Sequence, residues 1–80
     1  MENERHILYN QIAKNIKKYR NEAKMTQAVL AEKIDVSHEY IRMIESNKGD
    51  KTFSVYTIYN ISKVLNINIS KLFEFDNNEK

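Results

Sequence analysis

Side chains able to do covalent or acid–base chemistry are sparse in this chain. The two histidines, His6 and His38, stand far apart, cysteine is absent, and there is neither a glycine-rich phosphate loop nor a pair of histidines at helical spacing. Thiolate chemistry, a nucleotide cradle and a paired-histidine metal site are therefore not on offer. Ser37 and His38 are adjacent, but neighbours on a helix do not face each other and no third group orients them, so they are not a nucleophile and its base. The sequence predicts no catalytic residue, no metal and no cofactor, hence no enzyme. What it does offer is hydrogen-bonding and contact chemistry, concentrated in His38, Glu39, Arg42 and Met43.

Those four residues need an element that turns them outward, and the stretch Met25 to Glu45 supplies it. Thr26 can cap a first short helix by accepting an orphan amide of the first turn, and Leu30, Ala31 and Ile34 give that helix an inward face. Asp35 and Val36 break it. Ser37 can cap a second helix, His38 to Ser46, in which Ile41 and Ile44 form the inward stripe and His38, Glu39, Arg42 and Met43 point elsewhere. A helix so short does not stand alone in water. Two inward isoleucines suffice to dock it, which leaves the outward side chains free to meet a partner. Two capped amphipathic helices joined by a short turn, over residues 26–46, make a helix-turn-helix.

At these residues the chain resembles the Cro/cI-type (Xre-family) helix-turn-helix domain of phage repressors and small bacterial transcriptional regulators. The T-Q-x-x-L-A opening of that family stands here as Thr26, Gln27, Leu30 and Ala31, and its V-S-x-x-Y-I-x-x-I-E half as Val36, Ser37, Tyr40, Ile41, Ile44 and Glu45. The likeness runs from about Ile12 to Phe73. Many relatives carry glycine in the turn and again after the second helix, where this chain has Asp35 and Asn47; Asp and Asn are the non-glycine residues that enter left-handed geometry most readily. Val29 stands where relatives often carry an acid that completes a capping box with the threonine.

The resemblance implies an all-α, compact five-helix, lambda-repressor-like DNA-binding domain whose helix 3 lies in the major groove. It implies base reading by His38, Glu39, Arg42 and Met43, and backbone contacts from Gln27, Ser37, Tyr40, Lys48 and Lys51. Gln27 matches a family position that holds the DNA backbone, and an amide at a helix start suits a phosphate oxygen. An arginine at the position of Arg20 pairs in that family with the glutamate ending the recognition helix, here Glu45, so Arg20 and Glu45 are expected to form a partly buried structural pair.

Composition agrees with an ordinary globular domain. The chain has 80 residues, 41% apolar and 30% charged, and a formal net charge of +2, which permits nucleic acid binding without demanding it. One domain over 1–80 is expected, with frayed ends at about 1–6 and 76–80. Proline is absent and glycine occurs once, so regular structure should be almost entirely helical. No apolar run approaches a membrane span and the N-terminus lacks a signal-peptide core; with no cysteine, a cytoplasmic location is expected.

A first helix should begin at Ile7, with Leu8, Ile12, Ile16, Tyr19 and Ala23 as its stripe and Lys14, Lys17, Lys18 and Lys24 on other faces. The loop Ser46 to Thr52 holds Gly49 and the two phosphate-contact lysines, Lys48 and Lys51. Ser54 caps the next helix, Phe53 can staple onto Ile58, and Ile58, Ile61, Val64 and Leu65 face inward before a left-handed cap at Asn66. Beyond it, Ile67, Ile69, Leu72, Phe73 and Phe75 exceed what one or two turns capped by Asn68 could bury. They form a candidate dimer interface, which would set two reading helices on a pseudo-palindromic operator. The competing reading is a protein-interaction module, antitoxin-like or an assembly partner, that works through this apolar patch; acidic Glu39 and the modest net charge favour it.

Overall fold

The first helix, α1, runs Glu2–Glu22 in a computed structural model that describes residues 2–46 and 51–75, with side chains from residue 4 onward. It starts at Glu2 and not at Ile7, so the frayed end expected over residues 1–6 is helical from Glu2. Apolar periodicity marks where a helix packs, whereas backbone bonding extends as far as good helix formers continue. Here Glu4 in the first turn suits the positive end of the helix dipole. That extension is solvated: Ile7 and Leu8 are exposed, and the packed stripe begins at Ile12 with Ala13 and Ile16. Ala23 lies beyond the helix and is exposed, and so leaves the stripe.

Three further α-helices follow, α2 (Gln27–Lys33), α3 (His38–Glu45) and α4 (Val55–Leu65), and then a 3₁₀ helix, Ile69–Phe73. The fold is all-helical over the described residues, with four α-helices; the fifth expected helix is the 3₁₀ turn. Its tightness has a local cause. Asn68 Oδ1 accepts from Ser70 N at 2.9 Å, an Asx-type closure that favours a compact turn over an α-helix in so short a segment.

The starts of α2, α3 and α4 are fixed by side-chain oxygens placed as the sequence implies: Thr26 accepts from Val29 N at 3.0 Å, Ser37 from Tyr40 N at 3.0 Å and Ser54 from Thr57 N at 3.1 Å. The ends of α1, α2 and α4 share one device. Met25 N bonds Arg20 O and Lys24 N bonds Asn21 O; Val36 N bonds Ala31 O and Asp35 N bonds Glu32 O; Ile67 N bonds Ser62 O and Asn66 N bonds Lys63 O. These are three Schellman endings, and each needs a left-handed residue. None is glycine: Lys24, Asp35 and Asn66 have φ of 58°, 63° and 60°. Asp35 and Asn66 were expected there, Lys24 was not, and Asn47 lies outside the described residues.

One cluster forms the core, from Ile12 and Ile16 of α1, Leu30 and Ala31 of α2, Ile41 and Ile44 of α3, Phe53, Ile58, Ile61 and Leu65 around α4, and Leu72. Phe53 and Ile58 sit in it together, and the Phe53 ring also meets Tyr9 edge-on, with centroids 5.0 Å apart. Leu72 is fully buried, at 0% exposure, and Ile67 and Ile69 pack against the cluster half-buried. This corrects the apolar surplus expected at the C-terminal end. A 3₁₀ helix laid against both α1 and α4 buries more than a free turn would, so only Phe73 and Phe75 of the five stay exposed, at 38% and 51%.

The segment is held by a buried polar residue that apolar patterning passes over. Asn15, 6% exposed in the middle of the α1 stripe, donates from Nδ2 to the carbonyls of Leu72 at 3.0 Å and Glu74 at 2.8 Å and accepts from Gln11 Nε2 at 3.1 Å. An asparagine amid isoleucines is a poor helix former, and that misfit was the available signal of its role. Among the described residues no buried side-chain nitrogen or oxygen is left without a partner.

Candidate nucleic-acid interface

α2 and α3 pack on each other across the turn at Asp35, with Ile41 and Ile44 of α3 fully buried. A helix anchored on that side must turn its remaining residues outward, and His38, Glu39, Arg42 and Met43 are all exposed. Glu39 and Arg42 are one helical turn apart, and Arg42 Nη1 meets Glu39 Oε1 at 3.3 Å, both side chains largely in solvent. Such a pair contributes little to stability, so its partners remain available to other hydrogen-bonding groups.

Behind this row lies the ion pair. Arg20 Nε donates to Glu45 Oε2 at 2.7 Å and Arg20 Nη2 to Glu45 Oε1 at 2.9 Å, a bidentate fork between side chains only 8% and 3% exposed. The third nitrogen, Nη1, donates to the carbonyl of Met25 at 2.7 Å. One guanidinium thus ties α1, the α1–α2 link and the end of α3, which fixes the height and tilt of α3 against the body. The core positions α3, and this fork locks it.

Gln27 does something the sequence did not announce. Its Nε2 donates to Glu45 Oε1 at 2.9 Å, and its Oε1 lies 3.3 Å from His38 Nε2. The side chain therefore bridges the buried carboxylate and the first residue of α3; as a residue expected to hold the DNA backbone, it is half-buried and already engaged. Ser37 is exposed, with its hydroxyl capping α3. Tyr40 is half-buried against the core and presents only part of its surface.

Lys51 departs from its expected place on a loop over the DNA backbone. It is 7% exposed, with Nζ on Asn10 Oδ1 at 3.0 Å; its long stem packs down beside α1 because an ammonium that finds an amide oxygen there need not reach solvent. Lys48 and Gly49 lie outside the described residues. Of the α1 lysines, Lys14 and Lys17 line a cleft of about 540 Å³ together with Asn10, Ala13, Glu45 and Ser46, and Lys18 stands 5.0 Å over the Tyr19 ring.

The helix-turn-helix family model HTH_3 matches residues 16–72, which include α2, the turn, α3 and the Arg20–Glu45 fork. The chain belongs to the Cro/cI-type (Xre) helix-turn-helix family. Over those residues it carries a DNA-binding domain of the Xre kind, and the family domain is not an enzyme. Among solved structures, the chain is similar to HppE in its CoII form in complex with substrate and to HppE in its FeII form, each with a TM-score of 0.73 and 24% identity. It covers 84% of this chain in both cases, against 36% and 35% of those chains. A second FeII structure in complex with substrate gives the same TM-score and identity over 82% and 37%. The chain thus spans about a third of the length of HppE, and at this identity the likeness is one of fold. No curated protein matches the chain closely enough to establish a relation. No helix among the described residues is long and apolar enough to cross a membrane.

Proposed function

We propose that the chain is a sequence-specific, double-stranded DNA-binding transcriptional repressor, one domain over residues 1–80 acting in the cytoplasm, that reads a pseudo-palindromic operator as a homodimer. α3 enters the major groove, His38, Glu39, Arg42 and Met43 meet base edges, and Ser37, Tyr40 and Gln27 lie toward the backbone. The observation that carries this reading is the division of α3 into a buried side, Ile41 and Ile44, locked by the Arg20–Glu45 fork, and an opposite side with four exposed side chains and only one ion pair among them. Repression instead of activation rests on analogy with the family.

The test is a mobility-shift titration of the full chain on mixed genomic fragments at two salt concentrations. Binding that weakens steeply with salt and selects a subset of fragments is expected, because neutralised phosphates release counterions. Absence of binding at low salt overturns the reading. The exposed rings of Phe73 and Phe75 favour a second use of the fold, as a protein-interaction module; in that case substitutions on α3 would leave partner binding intact while substitutions of the two phenylalanines would abolish it.

A further inference from the structure

The relay behind α3 fixes which proton His38 carries. Glu45 takes two guanidinium donors from Arg20, and a carboxylate so held has only acceptor capacity left for Gln27. Gln27 must therefore turn its amide nitrogen to Glu45 Oε1, at 2.9 Å. The flipped amide would set two oxygens against each other. With the nitrogen committed, the Gln27 oxygen is the atom that faces His38 Nε2 at 3.3 Å, and an amide oxygen only accepts. Nε2 must be the protonated nitrogen of the neutral ring. Nδ1 is then an acceptor, with no partner among the described residues, on an exposed side chain at the first position of α3.

We propose that His38 selects an exocyclic amine. On the major-groove edge the amines are adenine N6 and cytosine N4, while N7 of either purine, guanine O6 and thymine O4 are acceptors that a lone-pair nitrogen repels. Gln27 and Glu45 act as positioning residues: they touch no base in this assignment and set specificity through the His38 tautomer. The assignment rests on the DNA reading proposed above and names the base chemistry of its first position.

Two measurements test it on the full chain. Long-range proton–nitrogen correlation spectra of the free protein should show His38 as the Nε2–H tautomer, and Gln27→Lys, which places a donor where the amide oxygen was, should move it toward Nδ1–H. A wild-type ring protonated at Nδ1 overturns the relay. The second measurement uses a duplex enriched from a random-sequence library. The base pair read by His38 is the one whose preference disappears in His38→Ala. At that pair the amine-lacking analogue, purine for adenine or 2-pyrimidinone for cytosine, should weaken binding roughly three- to tenfold, one neutral hydrogen bond, relative to the same analogue in a flanking pair. A 7-deaza purine in the same pair should leave binding unchanged. The reverse pattern, or a His38→Ala variant that keeps every preference, overturns the assignment while leaving the DNA reading intact. A library that yields no enriched duplex overturns the DNA reading itself, and the assignment with it.

Discussion

Glu45 carries more than its side of an ion pair, because its two oxygens serve Arg20 and Gln27 together. Glu45→Gln is expected to strand a guanidinium that is 8% exposed, at a cost on the order of 3 kcal/mol, a fall in Tm of more than about 10 °C for a domain of this size. Lys18→Gln, at an exposed site, should cost under about 0.5 kcal/mol; thermal melts followed by circular dichroism compare the two, and equal small shifts would mean that the fork contributes nothing. Glu39 is the other informative acid. It offers only acceptors and sits among phosphates in the proposed complex, so Glu39→Ala should weaken operator binding by about 1–3 kcal/mol if it meets a cytosine amine. Binding to random duplex should stay unchanged or strengthen, the more so because Arg42 loses its neighbour. The Arg20–Glu45 pair and the outward row were legible in the sequence through the family motif and helical spacing. Gln27 as a bridge was not, since an amide at a helix start looks the same whether it faces phosphate or a carboxylate brought in from another helix. The burial of Lys51 was not legible for a related reason: its loop position signals solvent, but its partner, Asn10, comes from α1.

Helix boundaries were legible wherever one side chain decides them. Thr26, Ser37, Ser54 and Asn68 cap as their types imply, and Asp35 and Asn66 take left-handed geometry as expected. The start of α1 was hidden because its first turns carry no packed apolar stripe, and the left-handed Lys24 because no local preference marks it; Lys24 is forced by the route from α1 into α2, where Arg20 accepts Met25 N at its carbonyl and donates to Met25 O from its side chain. A lysine in that conformation is strained by its Cβ, and glycine relieves the clash at some loss of chain entropy. Lys24→Gly is accordingly expected to stabilise the fold by about 0.5–1 kcal/mol, read as a higher urea midpoint with unchanged slope. Lys24→Ala, which keeps the Cβ, should give no such gain.

Over the whole molecule, burial of Leu72 changes how the proposed dimer must be tested. Leu72 belongs to the monomer core at 0% exposure, so Leu72→Ser should unfold the chain, with a loss of several kcal/mol (about 2–5 for a buried leucine emptied to a small residue), and says nothing about association. Phe73→Ser with Phe75→Ser removes only exposed rings. In sedimentation equilibrium that double variant should be monomeric where the wild type associates, with a near-native melt and weaker operator binding, since paired half-sites roughly 34 Å apart need two reading helices. Unaltered association would move the proposed interface elsewhere, for example to the exposed Val55, Tyr56 and Tyr59 of α4. The Asn15 bonds to Leu72 O and Glu74 O have a mechanical consequence as well. They join the first helix to the 3₁₀ turn and the residues just after it, so tension applied between the two ends of the described chain loads these two bonds, and the Tyr19 hydroxyl on Glu74 Oε1 at 3.2 Å, before it reaches the core. The chain should peel from its C-terminal end, Leu72 leaving its socket first, while α2 and α3 bear no load until that strap has come away.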